Sequence, residues 1–371
     1  RRTNKDDALY ILVVKNINRK NNNRYEYILP NIVFGKSFFT EKLGQIDFKS
    51  NALYRNYDAD KHLTSLTNDI VWSPGSTITK KGFINTVQGM IKNTNYDAKN
   101  TNKYKTKSTV NEIASVLSFK SSLPMIKKGI NFSNIFSPTY MIRYAPGHMR
   151  DLGTDNVSLN YTNLYSINKT SEIDSGLSGI LGFEYKVNQK DKLNNEKEKL
   201  SISLGQVINA EKNNDMPSKS SLDKKMSDLV GQMNYNFSEI GNINYKFSVD
   251  NNFDAINYNQ VSTGLTLGKV SFNLDYLEEQ NHIGNQNYVN SGISLNFNDS
   301  SKLSFETKKN FVTESTELYN ISYQYINDCL TAGLTFRREF YEDSDTDVQP
   351  NDSLMFVIKF IPFTGVKAPL K

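Results

Sequence analysis

Apolar and polar residues alternate one by one along most of this chain. Tyr319, Ile321, Tyr323 and Tyr325 alternate with Asn320, Ser322 and Gln324. Ile243, Tyr245, Phe247 and Val249 alternate with Asn244, Lys246, Ser248 and Asp250, and Val270, Phe272, Leu274 and Tyr276 with Ser271, Asn273 and Asp275. Successive side chains of a pleated strand point to opposite faces, so a period of two gives one apolar and one polar face. Kept up over the chain, it predicts a large sheet that is greasy on one side only.

The alternation predicts strands near 7–17, 25–37, 45–57, 61–73, 83–97, 110–123, 131–145, 156–166, 176–187 and 198–208. They continue near 228–238, 241–250, 256–267, 269–278, 287–297, 302–311, 316–325, 329–341 and 353–361. Very short turns (238–241, 267–269, 298–301, 327–328) alternate with generally longer polar ones (280–286, 342–352), as the two rims of an outer-membrane barrel do. The longest loop is placed at 209–227. Pro138 falls inside a strand and predicts an edge, a bulge or a break there. The stretch 98–155 is the least regular.

Length and composition suit this reading. The chain has 371 residues, of which 37% are hydrophobic, and it carries 21 Tyr and 21 Phe. Its mean hydropathy is −0.55, low for a large dry core but expected where half of each strand faces water. The longest apolar run, 8–14, is far short of the roughly 18–20 residues of a membrane helix, whereas a barrel strand needs about 9–11. The expected fold is all-β: a large antiparallel transmembrane β-barrel of about 18–20 strands, incompletely closed. Residues 1–371 form its one domain. The chain starts Arg1-Arg2 with no secretory signal, so an envelope protein would carry a further N-terminal part. A β-sandwich or propeller also alternates, but rarely keeps ten-residue strands throughout, and no blade-length or solenoid repeat is present.

Catalytic constellations are absent from the sequence pattern, and the chain is read as no enzyme. His62, His148 and His282 are far apart and lack metal-ligand spacing, and there is no G-x-S-x-G elbow. Asp343, Asp345 and Asp347 alternate in an acidic loop that lacks the Gly and Glu of a calcium-binding loop. No cofactor or metal is expected. The formal net charge of +5 is too small and dispersed for a nucleic-acid partner. Instead, Asn290, Ser294, Asn296, Asn320, Ser322, Gln324, Thr331, Thr335 and Arg337 form a polar row expected to line the lumen. On the final strand, Leu354, Phe356, Ile358 and Phe360 are expected to face lipid, and an apolar terminal strand of this kind resembles the signal read by the barrel-assembly machinery.

Four stretches also resemble the LptD family of LPS-assembly outer-membrane proteins, also called OstA or Imp. The stretch 328–340 (DCLTAGLTFRREF) is similar to that family's penultimate strand, and 347–354 (DVQPNDSL) to the loop before its last. The stretch 159–169 (LNYTNLYSINK) resembles a mid-barrel segment, and 227–235 (SDLVGQMNY) a strand after a long loop. Ser122-Leu123-Pro124 and Leu29-Pro30 are weaker matches. The resemblance implies lipopolysaccharide transport and assembly at the cell outer membrane, through the barrel lumen and a lateral gate between first and last strands. It implies an N-terminal periplasmic jellyroll and first barrel strands beyond this sequence. The implied partners are lipopolysaccharide, outer-membrane lipid, an LptE-like plug lipoprotein and an LptA-like periplasmic bridge protein. It also implies a disulfide from Cys329, placed on the periplasmic rim, to the missing N-terminal region; here one cysteine stands where the family often has two. The residues alone leave a general porin or a soluble all-β module open.

Overall fold

The backbone N–H and C=O groups of a strand point to its two edges and need a partner on each, and antiparallel hairpins supply it at the shortest chain length. In a computed structural model of the chain, residues 8–16, 26–57, 61–100, 104–106, 109–153, 155, 157–190, 195–237, 240–280, 284–339, 351–360 and 366–370 are described. They hold 21 strands and one three-residue 3-10 turn, Ser218–Ser220. The chain divides into two compact units.

The first unit comprises Arg1–Lys127, Ile135–Glu184 and Ser203–Val230. It contains β1 (Ala8–Asn16), β2 (Glu26–Thr40), β3 (Gly44–Tyr57), β4 (Lys61–Ser73), the short β5 (Ser76–Ile78), β6 (Ile84–Lys99) and β7 (Val110–Ser122). It also takes in most of the short β8 (Met125–Lys128) and parts of β9 (Phe132–Ala145), β10 (Gly176–Lys190), β11 (Glu196–Asn209) and β12 (Leu229–Asn236). Each long strand pairs antiparallel with the next: β1 with β2, β2 with β3, β3 with β4, β4 with β6, β6 with β7 and β7 with β9. Pro138 sits where the β7–β9 ladder stops at Thr139, its carbonyl accepting from the Leu123 N–H at 3.1 Å. Of the edge, bulge or break expected at this proline, the structure shows the end of one ladder, while β9 itself runs through it.

The second unit comprises Lys128–Asn134, Tyr185–Ile202 and Gly231–Lys371. Beyond its share of β9–β12 it holds β13 (Gly241–Val249), β14 (Ile256–Leu267), β15 (Val270–Glu279), β16 (Gln286–Asn298), β17 (Ser301–Asn310), β18 (Ser315–Ile326), β19 (Leu330–Glu339), β20 (Asn351–Phe360) and β21 (Val366–Leu370). From β13 to β21 every strand pairs antiparallel with its successor. Among the described residues β1 has β2 as its sole ladder partner and β21 has β20, so neither end strand is closed on a partner.

The asparagines that fill the turns have a mechanical role. Asn310 Oδ1 accepts from the Val312 N–H at 2.9 Å, Asn298 Oδ1 from Ser300 at 2.9 Å, and Asn327 Oδ1 from Leu330 at 2.8 Å. A short acceptor at the strand end thus takes over N–H groups that the ladder releases. Gly268, in the tight β14–β15 turn, has a φ of 59°, a conformation that costs glycine little.

Burial is inverted relative to a soluble sheet. On β9, Tyr140, Ile142 and Tyr144 are 39%, 52% and 54% exposed, while Met141, Arg143 and Ala145 between them are 1–2% exposed. In the second unit, cross-strand register builds a continuous apolar sheet face: Phe272 opposes Ile293, Ile293 opposes Phe305, Phe305 opposes Ile321, Ile321 opposes Phe336 and Phe336 opposes Leu354. All six are exposed. Apolar strand faces left bare over this extent mark an outer face that meets lipid.

The structure corrects four sequence expectations. Of the expected strand 156–166, the described residues 157–166 form no strand, and 161–165 are turns. The longest connection is 146–175, not 209–227, and the irregularity placed at 98–155 belongs mainly there, since β7, β8 and β9 occupy much of 110–145. β5 and β8 are short additional strands. The segment at 353–361 is not the last strand, because β21 follows and pairs with it. The acidic loop with Asp343, Asp345 and Asp347 lies outside the described residues, as does His282.

An arginine at Ile321 should therefore cost about 2–4 kcal/mol if it lies near the bilayer midplane, and one at the adjacent Ser322 less than ~1 kcal/mol. Urea unfolding in lipid vesicles measures both. Equal costs would mean that the two faces have been assigned wrongly.

Candidate functional site on the polar face

In the first unit the polar strand face is covered by two connections of the same chain, 146–175 and 210–228. Both leave strand ends on the same side of the antiparallel meander. The first is held out of strand form by its asparagines. Asn163 Oδ1 accepts from the Asn160 N–H at 2.9 Å, Asn160 Oδ1 accepts from the Asn163 N–H at 3.1 Å, and Asn163 Nδ2 donates to the Ser158 carbonyl at 2.8 Å. Side chains that satisfy the local backbone in this way compete with a sheet ladder.

The turn presents Leu164 and Tyr165 to the sheet. Leu164 is fully buried in a cluster with Met141, Leu159, Ile180, Val207, Met216, Leu222 and Val230. Two glycines create the seat. A Cβ at Gly205 would collide with the Leu164 side chain, and one at Gly182 would stand 2.5 Å from the Tyr165 hydroxyl. The Leu164-Tyr165 pair thus fits only because β10 and β11 lack side chains at two facing positions, Gly182 and Gly205.

Charge fastens the same connection. Arg150 binds Glu172 at 2.5 Å and Glu112 of β7 at 3.2 Å. Its guanidinium lies 4.7 Å from the Tyr104 ring centre and 5.4 Å from that of Tyr96, and the Tyr96 hydroxyl donates to Glu112 at 2.8 Å. Burial alone would lower the Arg150 pKa, but Glu172, Tyr104 and Glu112 together hold it above its ordinary value. Arg143 of β9 donates from Nε to the Ile167 carbonyl at 2.6 Å. Burial pushes the Tyr161 and Tyr165 hydroxyls up and raises the Asp223 carboxyl in the second connection. That connection joins the first through the Leu152 N–H, which donates to the Asp215 carbonyl at 2.7 Å.

In the second unit the sequence-predicted polar row falls on one face. Asn320 opposes Arg337 and Ser322 opposes Thr335, while Thr331 shares their parity opposite Ile326. Asn320, Ser322 and Gln324 oppose Glu306, Ser304 and Lys302 of β17, which oppose Gly292, Ser294 and Asn296 of β16; Asn290 continues the row opposite Lys308. The register also brings in the charged groups Lys302, Glu306 and Lys308, which the sequence pattern did not single out. On β20, Leu354, Phe356 and Phe360 are exposed on the opposite face and Ile358 is half-buried there. Cys329 is exposed and free in the turn before β19. His62 lies 3.6 Å from Asp97. Among the described residues no three His, Cys, Asp or Glu side chains gather as a metal site.

The first covering connection was missed in sequence because part of it, 156–166, alternates like a strand, whereas the second was expected as the loop 209–227. The two glycines inside strands were the available signal, since such glycines mark a close approach.

Leu164→Ala should destabilise the chain by about 2–5 kcal/mol, and Gly205→Val should do so by displacing Leu164, both read by urea unfolding. Lys169 in the first connection is pushed down to about 8, chiefly by burial and further by Arg143, against the pull of Asp174. Between that value and an unfolded lysine near ~10.4, the unfolded chain holds more protons, so stability should rise with pH across this window. The rise should be smaller in Lys169→Met, by stability measured at pH 7.5 to 10.5.

Residues 14–301 match the family described as LptD: LPS transport system D. Of the four motif stretches, 159–169 and 227–235 lie inside the match, and 328–340 and 347–354 lie beyond it. Comparison with curated protein sequences gives no match. Among solved structures, a triple mutant of the Rhodopseudomonas blastica porin is 12% identical over 87% of this chain and 92% of that one, with a TM-score of 0.30. A mutant ferric enterobactin receptor, PfeA, from Pseudomonas aeruginosa is 7% identical over 92% of this chain and 64% of that one, with a TM-score of 0.42. The assignment rests on the family match together with the inverted strand faces: this chain belongs to the LptD family, outer-membrane β-barrel proteins of lipopolysaccharide transport, which are transport components rather than enzymes.

Proposed function

We propose that this chain moves lipopolysaccharide along the polar face of its sheet, here read as the lumen, and releases it sideways into the outer leaflet. The observation that carries this reading is the pair of opposed faces: bare apolar rows outside, and a polar row opposite that includes Asn290, Ser294, Asn296, Asn320, Ser322, Gln324, Thr331, Thr335 and Arg337. Lipopolysaccharide has the same duality. Its sugar-phosphate head would cost many kcal/mol to bury in hydrocarbon, and its acyl chains would cost as much to hold in water. A wet lumen that opens between strands lets each end stay in its own medium.

The lateral gate would lie at the free edge of the last strands. Pro369 of β21 stands opposite Met355 and has no N–H to give to a ladder, which weakens an edge. In this reading residues 1–371 are one barrel domain that joins an N-terminal periplasmic jellyroll. The bridge protein delivers cargo from the periplasm, the plug lipoprotein occupies the lumen, and the barrel-assembly machinery reads the C-terminal strands, β20 with Leu354, Phe356, Ile358 and Phe360 and β21 after it. Cys329, in a short turn, pairs with a cysteine of the N-terminal region.

Depletion of the protein in its native cell should leave newly made lipopolysaccharide unable to reach the surface, measured by surface labelling against total lipopolysaccharide. Normal surface arrival after depletion would overturn the transport reading and favour a passive channel.

A further inference from the structure

A cavity of about 430 Å³ opens beside the first connection, where the end of β9 and the start of β10 meet the segment 210–228. Arg143, Lys169, Asp174, Ser175, Asn209 and Asn213 are in its wall. Arg143 is 2% exposed. Its Nε is satisfied by the Ile167 carbonyl, but its Nη2 has no hydrogen-bond partner. The nearest carboxylate oxygen, Asp174 Oδ2, is 3.7 Å away, too far for a hydrogen bond. The other oxygen of Asp174 accepts from the Thr170 hydroxyl at 2.9 Å. Lys169, half-buried, reaches the Ser166 carbonyl only at 3.4 Å. Glu211 and Lys212 also line the cavity, but both are exposed and offset each other in charge.

The inner wall therefore sets two cations against one carboxylate, with a buried N–H unused. An uncompensated buried charge is costly, and an incoming anion relieves it. Burial is the main cause of the depressed pKa of Lys169, with Asp174 opposing it and Arg143 adding to it. The volume exceeds what a lone inorganic anion fills and falls within the ~300–1,000 Å³ of small-molecule sites. The serine and asparagine side chains give the rest of the wall the polarity that sugar hydroxyls require.

The geometry points to a binding site for an anionic sugar, one bearing a phosphate or a carboxylate, held by Arg143 and Lys169. It rests on the transport reading only for the source of that sugar, the charged saccharide head of the cargo.

Calorimetric titration of the full chain in detergent micelles tests the site with glucose 1-phosphate, glucuronate, glucose and inorganic phosphate. The two anionic sugars should bind, and glucose at least about tenfold more weakly. Lys169→Gln should weaken the anionic sugars by about tenfold, in line with a lost charge-assisted contact, and Arg143→Gln should abolish binding. Should Arg143→Gln fail to fold, Lys169→Gln decides alone. Absence of saturable binding, or binding unchanged in folded Lys169→Gln, would overturn the site. Inorganic phosphate binding as tightly as glucose 1-phosphate would overturn the sugar assignment and leave a free-anion site. Because the titration involves no transport and the depletion experiment no soluble sugar, either reading can fail without the other.

Discussion

Hydrocarbon offers a peptide group no hydrogen-bond partner. A strand in a bilayer must therefore find both of its neighbours within the protein. The antiparallel pairing of successive long strands is the direct response, and among the described residues the outer edges of β1 and β21 are left without a ladder. Once the backbone is satisfied in this way, the side chains are free to divide by medium. The period of two then sends tyrosine, phenylalanine and isoleucine to one face and asparagine, serine and threonine to the other, so the inverted burial follows from the backbone constraint.

That inversion leaves the polar face with a problem of its own in the first unit. A segment that covers it must bring both apolar and charged groups, because the strands present both. The connection 146–175 meets this in two ways. Leu164 and Tyr165 enter where Gly182 and Gly205 leave room, which removes apolar surface from water at ~25 cal/mol per Å². Arg150 meets Glu112 and Glu172 beside two tyrosine rings that pack edge-on against each other. A buried ion pair of this kind adds little net stability, but losing one partner leaves the other charged and buried. The clamp thus fixes where the connection sits more than it contributes to stability.

The strands were legible in the sequence because lipid and water impose a strict period on every residue, with no freedom to drift. Tyr319 to Tyr325 could hardly be read another way. The row Asn320, Ser322, Thr335 and Arg337 was legible for the same reason, since parity carries across a ladder once the short turns are recognised. The connection 146–175 was not legible, although the one at 210–228 was, as the loop 209–227. The stretch LNYTNLYSINK alternates well enough to pass for a strand, and only the reciprocal Asn160–Asn163 hydrogen bonds, a local choice between two satisfactory backbones, send it into turns. Likewise β21 hides its identity behind Pro369 and a lysine, neither of which signals a strand.

The two kinds of surface differ in how much change they can absorb. An outward row tolerates one apolar residue for another because lipid is fluid and fits any shape. The seat of Leu164 tolerates almost nothing, because backbone approaches backbone where Gly182 faces Gly205. The covered polar face of the first unit is thus the more constrained of the two, with close backbone packing and desolvated charges. The bare rows do the less selective work of holding the wall in the bilayer. Arg143 stands at the meeting point of these demands: it is on a strand whose alternate residues face lipid, its Nε is committed to the covering connection, and its buried Nη2 has no hydrogen-bond partner.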